Sequence, residues 1–325
     1  MTLNMTNAPF IKGASSVSSM MRDMLFTMLV LLILPVVHYG ARPAVMALLT
    51  ACVCAVCEIL FNLIQTRTTG ISDASSVVTG MIITMLMPVN APMWLPCAAG
   101  AFAILAAKGP FGSTGRNPFN PAAAGFSFAV ICWPQLVFSY ANPALASNLP
   151  VWGSASVPVV ESSAAVLKNG LKPDILPLDM LWGNFAGPIG TTAILVIAAC
   201  ALFLYLKRTA RWEITFFFLL AAAAIAALFP RIACSPLTSV KYELMSGSVL
   251  FCSVFLVTDP VTSPHSARGR CVYGLLAGIL VMLFRYYGAF EQGATFAVLI
   301  ANALAPMIDG LFVGADKWEE ALDES

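Results

Sequence analysis

Charge is the scarcest property of this sequence: Asp, Glu, Lys and Arg make up 10% of its 325 residues, against about 25% in a soluble domain. Histidine is rarer still, with only His38 and His265, and neither stands in a metal-ligand spacing. The net charge is +1, so nothing suggests a nucleic-acid surface or an acidic partner. The common catalytic signatures are missing as well: no H-E-x-x-H, no P-loop and no Ser-His-Asp order. The one glycine-rich stretch, Lys108 to Pro121, has the wrong spacing for G-x-G-x-x-G and follows an apolar run of helical length instead of a strand. No catalytic residue and no metal site is expected. A self-sufficient NAD enzyme is excluded, because the chain has no nucleotide-binding motif.

What is present is apolar. Hydrophobic residues are 59% of the chain. A soluble protein of this length would have to bury nearly all of that excess, whereas in lipid the apolar side chains face their own solvent. Met1 to Ser19 is mildly polar and has no signal-type apolar core before Met24, so no cleaved leader is expected. The tail after Gly314 is short and acidic (Glu319, Glu320, Asp323, Glu324) and reads as solvated. The nine cysteines are scattered, mostly within apolar runs. Cys54-x-x-Cys57 has a redox spacing but lies mid-helix without a second pair, so the thiols read as small packing residues.

A helical span takes about 20 apolar residues. Segments 24–40, 43–64, 76–90, 92–108, 121–139, 188–206, 211–229, 244–259, 271–288 and 292–312 qualify or come close. The expected fold is therefore all-α and polytopic, with about ten membrane-crossing helices. Two of these segments, 76–90 and 244–259, are short and run into proline, and they resemble each other. Ser76-Val77-Val78 precedes Pro88 and Pro92 as Ser248-Val249-Leu250 precedes Pro260 and Pro264, at one constant offset. Each is the third segment of a group of five. An odd number per half inverts the second half, and paired broken helices in inverted halves point to a central binding site. The organisation expected is a first five-helix half over 1–139, a loop over 140–185, a second half over 186–314 and the tail over 315–325.

Of the 17 Lys and Arg, eleven fall on one side of this topology and six on the other. The positive-inside rule then places both termini in the cytoplasm and the 140–185 loop outside. Loops of that length are usually functional.

Irregular backbone at membrane depth survives only where protein or a cavity covers it. The Lys108–Pro121 stretch is one such interruption, and Thr258-Asp259-Pro260-Val261-Thr262-Ser263-Pro264 is the other. Asn117 and Asn120 offer amides that both donate and accept, which suits a planar heterocycle. They suit equally an Asn-Pro turn that caps the next helix. Asp259 is either an ion or proton ligand or a turn-forming residue. Glu58, alone in its apolar segment, is either a path residue or a helix-pairing one.

These stretches, taken together with Asp73–Gly80, Phe111–Ala122, Gly269-Arg270, Tyr287–Ala297 and Asn302–Asp309, resemble the RnfD/NqrB family from about residue 10 to 313. The short N-terminus is closer to RnfD than to NqrB. The resemblance implies a subunit of a bacterial inner-membrane complex that couples electron transfer between ferredoxin and NAD to Na⁺ or H⁺ translocation, beside other subunits that include a second flavin carrier. It implies riboflavin held non-covalently, with Asn117 and Asn120 among its contacts. It also implies FMN joined by phosphoester to a hydroxyl in the outer loop. In register with Leu167-Lys168 and Gly170, that hydroxyl falls on Ser162. Here the sequence departs from the family: serine replaces threonine, and Val159-Val160-Glu161 replaces Ser-Gly-Ala, with Glu161 beside the incoming phosphate. Two other functions remain open, an ion or small-solute permease subunit and a scaffold subunit without covalent flavin.

Overall fold

The computed structural model describes residues 17–65, 74–111, 117–144, 146, 149–152 and 158–323, the side chains of Gln65 and residues 313–323 excepted. Most of the Gly-rich stretch, Gly112 to Arg116, lies outside the described residues, as do Asp73 and the N-terminal end of the family resemblance.

Helices α1 (Val17–Tyr39) and α2 (Arg42–Gln65) open the chain, followed by α3 (Ser75–Leu86) and α4 (Trp94–Phe102). A π-helical turn, Ala103–Lys108, and a 3₁₀ turn, Gly109–Phe111, extend α4. Then come α5 (Pro121–Cys132), α6 (Pro134–Val137), α7 (Ser163–Lys168), α8 (Pro177–Trp182), α9 (Ile194–Leu206), α10 (Trp212–Leu228), α11 (Pro236–Met245), α12 (Val249–Phe255), α13 (Ala267–Tyr287) and α14 (Ala294–Asp323). Among the described residues the exception to an all-α chain is a two-residue antiparallel pair, β1 (Tyr140–Ala141) with β2 (Val159–Val160).

The helices are apolar on both faces, and their outward faces are as greasy as their inward ones. α1 buries Met21, Met24, Met28 and Leu31 at helical spacing yet exposes Phe26, Leu29, Ile33 and Val37, the last at 73%. Ile64, Leu206 and Leu311 are likewise exposed. Water penalises such a surface and lipid does not. Hydroxyls turn inward instead. Ser127 Oγ of α5 donates to Thr295 Oγ1 of α14 at 2.9 Å, and Thr215 Oγ1 of α10 donates to the Ser253 carbonyl of α12 at 2.8 Å.

Five of these helices are long and apolar enough to cross a membrane: α1, α2, α4 with its extension, α13 and α14. α3, α5, α9 and α10 are apolar but shorter. All ten expected segments coincide with helix, but length alone carries five of them. The second half's third segment differs most. Ser246 and Gly247, the latter with a positive φ of 65°, end α11 at Met245, so residues 244 and 245 belong to α11 and only seven residues form α12. α14 runs on through most of the acidic tail, to Asp323.

Close packing fixes the second half. On α13, a Cβ at Gly274 would stand 2.6 Å from the Ile214 carbonyl oxygen, and one at Gly278 would stand 2.4 Å from that of Phe218. The G-x-x-x-G pair thus lets α10 and α13 approach backbone to backbone.

The chain after α3 is not helical, because Pro88 cannot donate the next hydrogen bond. Arg42, fully buried at the start of α2, satisfies the freed carbonyls. Its Nε donates to Val89 O (2.8 Å), Nη2 to Ala91 O (3.1 Å) and Nη1 to Pro150 O (2.8 Å). One guanidinium thereby ties the broken helix to the 140–185 loop.

Candidate functional site

The two interrupted stretches meet in space. Between α1, the start of α3, the end of α4 and the turn after α12 lies a small cleft of about 50 Å³. Its walls are Met20, Met21 and Met24, then Ser75, Val78, Thr79 and Ile82, then Lys108, Asn117 and Asn120, and finally Phe255, Asp259 and Pro260. Of the five residues singled out from sequence for flavin binding or an ion path, three (Asn117, Asn120, Asp259) line it, Glu58 touches a lining residue, and Ser162 lies elsewhere.

Asn120 performs the capping role. Its Oδ1 accepts from Ala122 N (3.0 Å) and Ala123 N (3.2 Å), with Pro121 at the first helical position. Its Nδ2 crosses to the other half of the chain, 3.2 Å from Asp259 Oδ2 and 3.5 Å from Leu256 O. Asn302 of α14 supports it from behind. With its amide oriented so that both ends are matched, Asn302 accepts from Asn120 N (2.9 Å) and donates to the Tyr273 hydroxyl (2.6 Å). Both ends of the Asn120 amide are therefore engaged, and its task is to hold the turn.

Asn117 differs. It is 7% exposed, and its Oδ1 is closed to solvent without a hydrogen-bond partner among the described residues. A buried acceptor left unmatched is costly unless something else supplies the donor.

Asp259 serves its own turn as well as Asn120, taking Val261 N on Oδ1 at 3.2 Å. Glu58 has a partner that its sequence position did not reveal. Lys108 Nζ is 2.5 Å from Glu58 Oε1 and 2.7 Å from Ser75 Oγ, with Lys108 and Glu58 both nearly buried. The π turn ends on this lysine, a distortion that recurs at functional sites. The following Gly109 packs closely on Phe61: a Cβ there would stand 2.7 Å from the ring and would push it aside. Glu58 and Lys108 are each a lone charge in an apolar run, and that was the available pairing signal.

At the far end of α13, the loop hydroxyl on which the family resemblance places FMN is enclosed. Ser162 is 2% exposed and caps α7 by accepting from Ala165 N at 3.0 Å. Its Oγ donates to Glu291 Oε2 at 2.9 Å. A phosphoester would remove the proton that this bond requires and set an anion against Glu291, with Glu161 one residue away. The residues around Ser162 do not fit an ester-linked FMN. By contrast, the unmatched Asn117 acceptor, the donors of Lys108 and the apolar Met and Phe walls fit an uncharged ring system with N–H and carbonyl groups on its edge.

Apolar helices with lipid-like outer surfaces, packed around a small and mainly apolar cleft, define a multi-pass α-helical membrane protein. The chain belongs to the NQR2, RnfD, RnfE family, whose model it matches over residues 4–315. Among its relatives is the D subunit of the Na(+)-translocating ferredoxin:NAD(+) oxidoreductase complex of Acetobacterium woodii. The two are 27% identical over 311 residues, covering 95% of this chain and 93% of that protein. To the D subunit of the ion-translocating oxidoreductase complex of Yersinia enterocolitica the chain is 31% identical over 299 residues, covering 83% and 85% respectively. The counterpart from Pectobacterium carotovorum is 30% identical over 269 residues, covering 74% and 77%.

Proposed function

We propose that this chain is a flavin-holding electron-transfer subunit of an Rnf-type ferredoxin:NAD⁺ oxidoreductase coupled to Na⁺ or H⁺ translocation. It would sit in the bacterial inner membrane with both termini cytoplasmic, beside other subunits that include a second flavin carrier. The reading assigns one flavin, a riboflavin bound without a covalent link in the cleft at Asn117. Ser162 carries none. The observation that supports it best is the buried, unmatched Oδ1 of Asn117, in the cleft where the two interrupted stretches converge.

The flavin supplies the redox chemistry when bound, and the chain holds and tunes it. Asn117 accepts an N–H from the ring edge. Asn120 keeps Asn117 and the Pro121 turn in register. Lys108, neutralised by Glu58 in the resting protein, places a positive group where negative charge develops on reduction. Asp259, bonded to Asn120, puts an acid at the same cleft. The chain alone should not react with NAD.

The test is the visible spectrum of the complex purified with this chain. Riboflavin, released on denaturation without residual fluorescence on the protein band, is expected in the parent and lost in Asn117→Leu. A complex in which Asn117→Leu leaves the flavin content unchanged would overturn the assignment. A colourless parent chain would instead favour a permease.

A further inference from the structure

At the end of the molecule opposite the cleft, four oxygen-bearing side chains converge beneath the 140–185 loop with fewer donors than they need. Tyr140 of β1 is fully buried, and its hydroxyl accepts from Gln292 Nε2 at 2.8 Å while lying against the Glu291 carboxylate. Ser162 Oγ holds one carboxylate oxygen, Oε2. This leaves Glu291 Oε1 and Gln292 Oε1 both closed to solvent and without a hydrogen bond, although Gln292 is only 4% exposed. Two unmatched acceptors, gathered around one hydroxyl, indicate a missing positive partner.

The nearby cations do not supply it. Arg231 grips Glu243 with two nitrogens, Nε to Oε1 at 2.8 Å and Nη2 to Oε2 at 2.9 Å. Arg285 Nε pairs with the same carboxylate at 2.9 Å and spends its outer nitrogens on Ser246. Lys168 Nζ donates to the Ala289 carbonyl. Both guanidiniums thus converge on Glu243, and among the described residues Glu291 has no ion-pair partner.

We infer that Glu291, Gln292, Tyr140 and Ser162 form a binding site for one small monovalent cation of the Na⁺ class. The donor set is all oxygen, as a hard cation requires: two carboxylate oxygens, an amide carbonyl and two hydroxyls. Gln292 turns its carbonyl to the ion while its amide nitrogen fixes Tyr140. Ser162, at the position where the family resemblance placed a flavin ester, acts here as a ligand and as the cap that holds the loop over the site. A single charge suffices, because Glu291 is the one carboxylate in the donor set and both arginines are held on Glu243. A divalent ion would leave an uncompensated excess.

The test uses the complex containing this chain in lipid nanodiscs, prepared in choline chloride and titrated with NaCl at constant ionic strength. Equilibrium binding of ²²Na⁺ and the thermal unfolding midpoint are read together. The parent should bind one Na⁺ more per chain than Glu291→Gln, and its midpoint should rise with Na⁺ and saturate, as for any ligand that binds only the folded state. Ser162→Ala and Gln292→Leu should each weaken that Na⁺ at least threefold, which keeps the test open if Glu291→Gln fails to assemble. Equal ²²Na⁺ stoichiometry and affinity in the parent and these variants would overturn the site, as would a single FMN on the intact chain lost in Ser162→Ala. Asn117→Leu should lose riboflavin and retain this Na⁺ response, so the two assignments fail separately.

Discussion

Lys108 Nζ stands 2.5 Å from Glu58 Oε1, joining the end of the π turn to α2 in an almost water-free setting. Each partner makes the other tolerable. Removing one leaves an uncompensated buried charge, at a cost of about 3–5 kcal/mol, whereas removing both at once is far cheaper. Lys108→Met and Glu58→Gln should therefore each lower the unfolding midpoint of the purified complex strongly, and the double variant should recover most of the loss. A double variant as unstable as the sum of the singles would show that the two residues do not act as a pair.

Asn120 should be replaceable in one of its roles but not in the other. Alanine loses the cap on α5, worth about 1 kcal/mol, together with the bond to Asp259 Oδ2. Aspartate keeps a capping oxygen but sets a carboxylate where the donor Nδ2 stood, 3.2 Å from Asp259. Two carboxylates so close cannot both ionise cheaply. Asn120→Asp should thus be less stable than Asn120→Ala near neutral pH, and the deficit should shrink as the pH falls and the pair takes up a proton. Thermal melts of both variants between pH 5 and 8 would check this, with a pH-independent deficit as the contrary outcome.

What could be read from the sequence was what depends on local chemistry. The excess of apolar residues marked the longer helices but not α7, α8 or most of α11, Pro88 marked where α3 stops, and Asn120-Pro121 marked a cap. The pairings across the chain were not legible, because a hydrogen bond between residues 42 and 150, or between 162 and 291, leaves no trace in either neighbourhood. Asn302 stood inside a family-like motif without an evident task, and its task, accepting from Asn120 N, exists only once α14 packs behind α5. Glu291 gave no signal for the same reason: in a loop it looks solvated, and it is the covering segment around Ser162 that buries it. The second short segment was legible as short, but not the start of α12 at Val249, because Ser246-Gly247 reads as helix interior in an apolar run until the left-handed glycine is seen.

Arg42 gives a stability prediction that sequence could not have offered. It holds three backbone carbonyls with one planar group, a geometry that lysine cannot reproduce. Arg42→Lys should keep the charge yet lose most of the stitching, with each abandoned carbonyl costing roughly 1–3 kcal/mol. The 140–185 loop should then become accessible to protease in nanodiscs while flavin content is retained. Unchanged protease resistance would mean that Pro150 is held by other contacts.

Glu291 should impose a pH dependence whose sign is fixed by its surroundings. Burial raises its pKa above the usual value, outweighing the Tyr140 hydroxyl beside it, the hydrogen bond from Ser162 and the attraction of Arg285 and Lys168. The folded state therefore holds a proton that the unfolded chain has released. Stability is unaffected by this group below the unfolded pKa and falls as the pH rises through the folded one. The charged and titratable groups around it are Tyr140 on β1, Lys168 on α7, Arg285 on α13 and, beyond Arg285, Glu243 on α11 with Arg231 after α10; Tyr140 is itself pushed well above its ordinary value by burial. In choline chloride, Glu291→Gln should accordingly melt higher than the parent at pH 8, with the difference shrinking toward pH 5. Adding NaCl should raise the parent's midpoint toward that of the variant. A parent that is already the more stable protein at pH 8 without Na⁺ would mean that the carboxylate has its counter-charge within the chain.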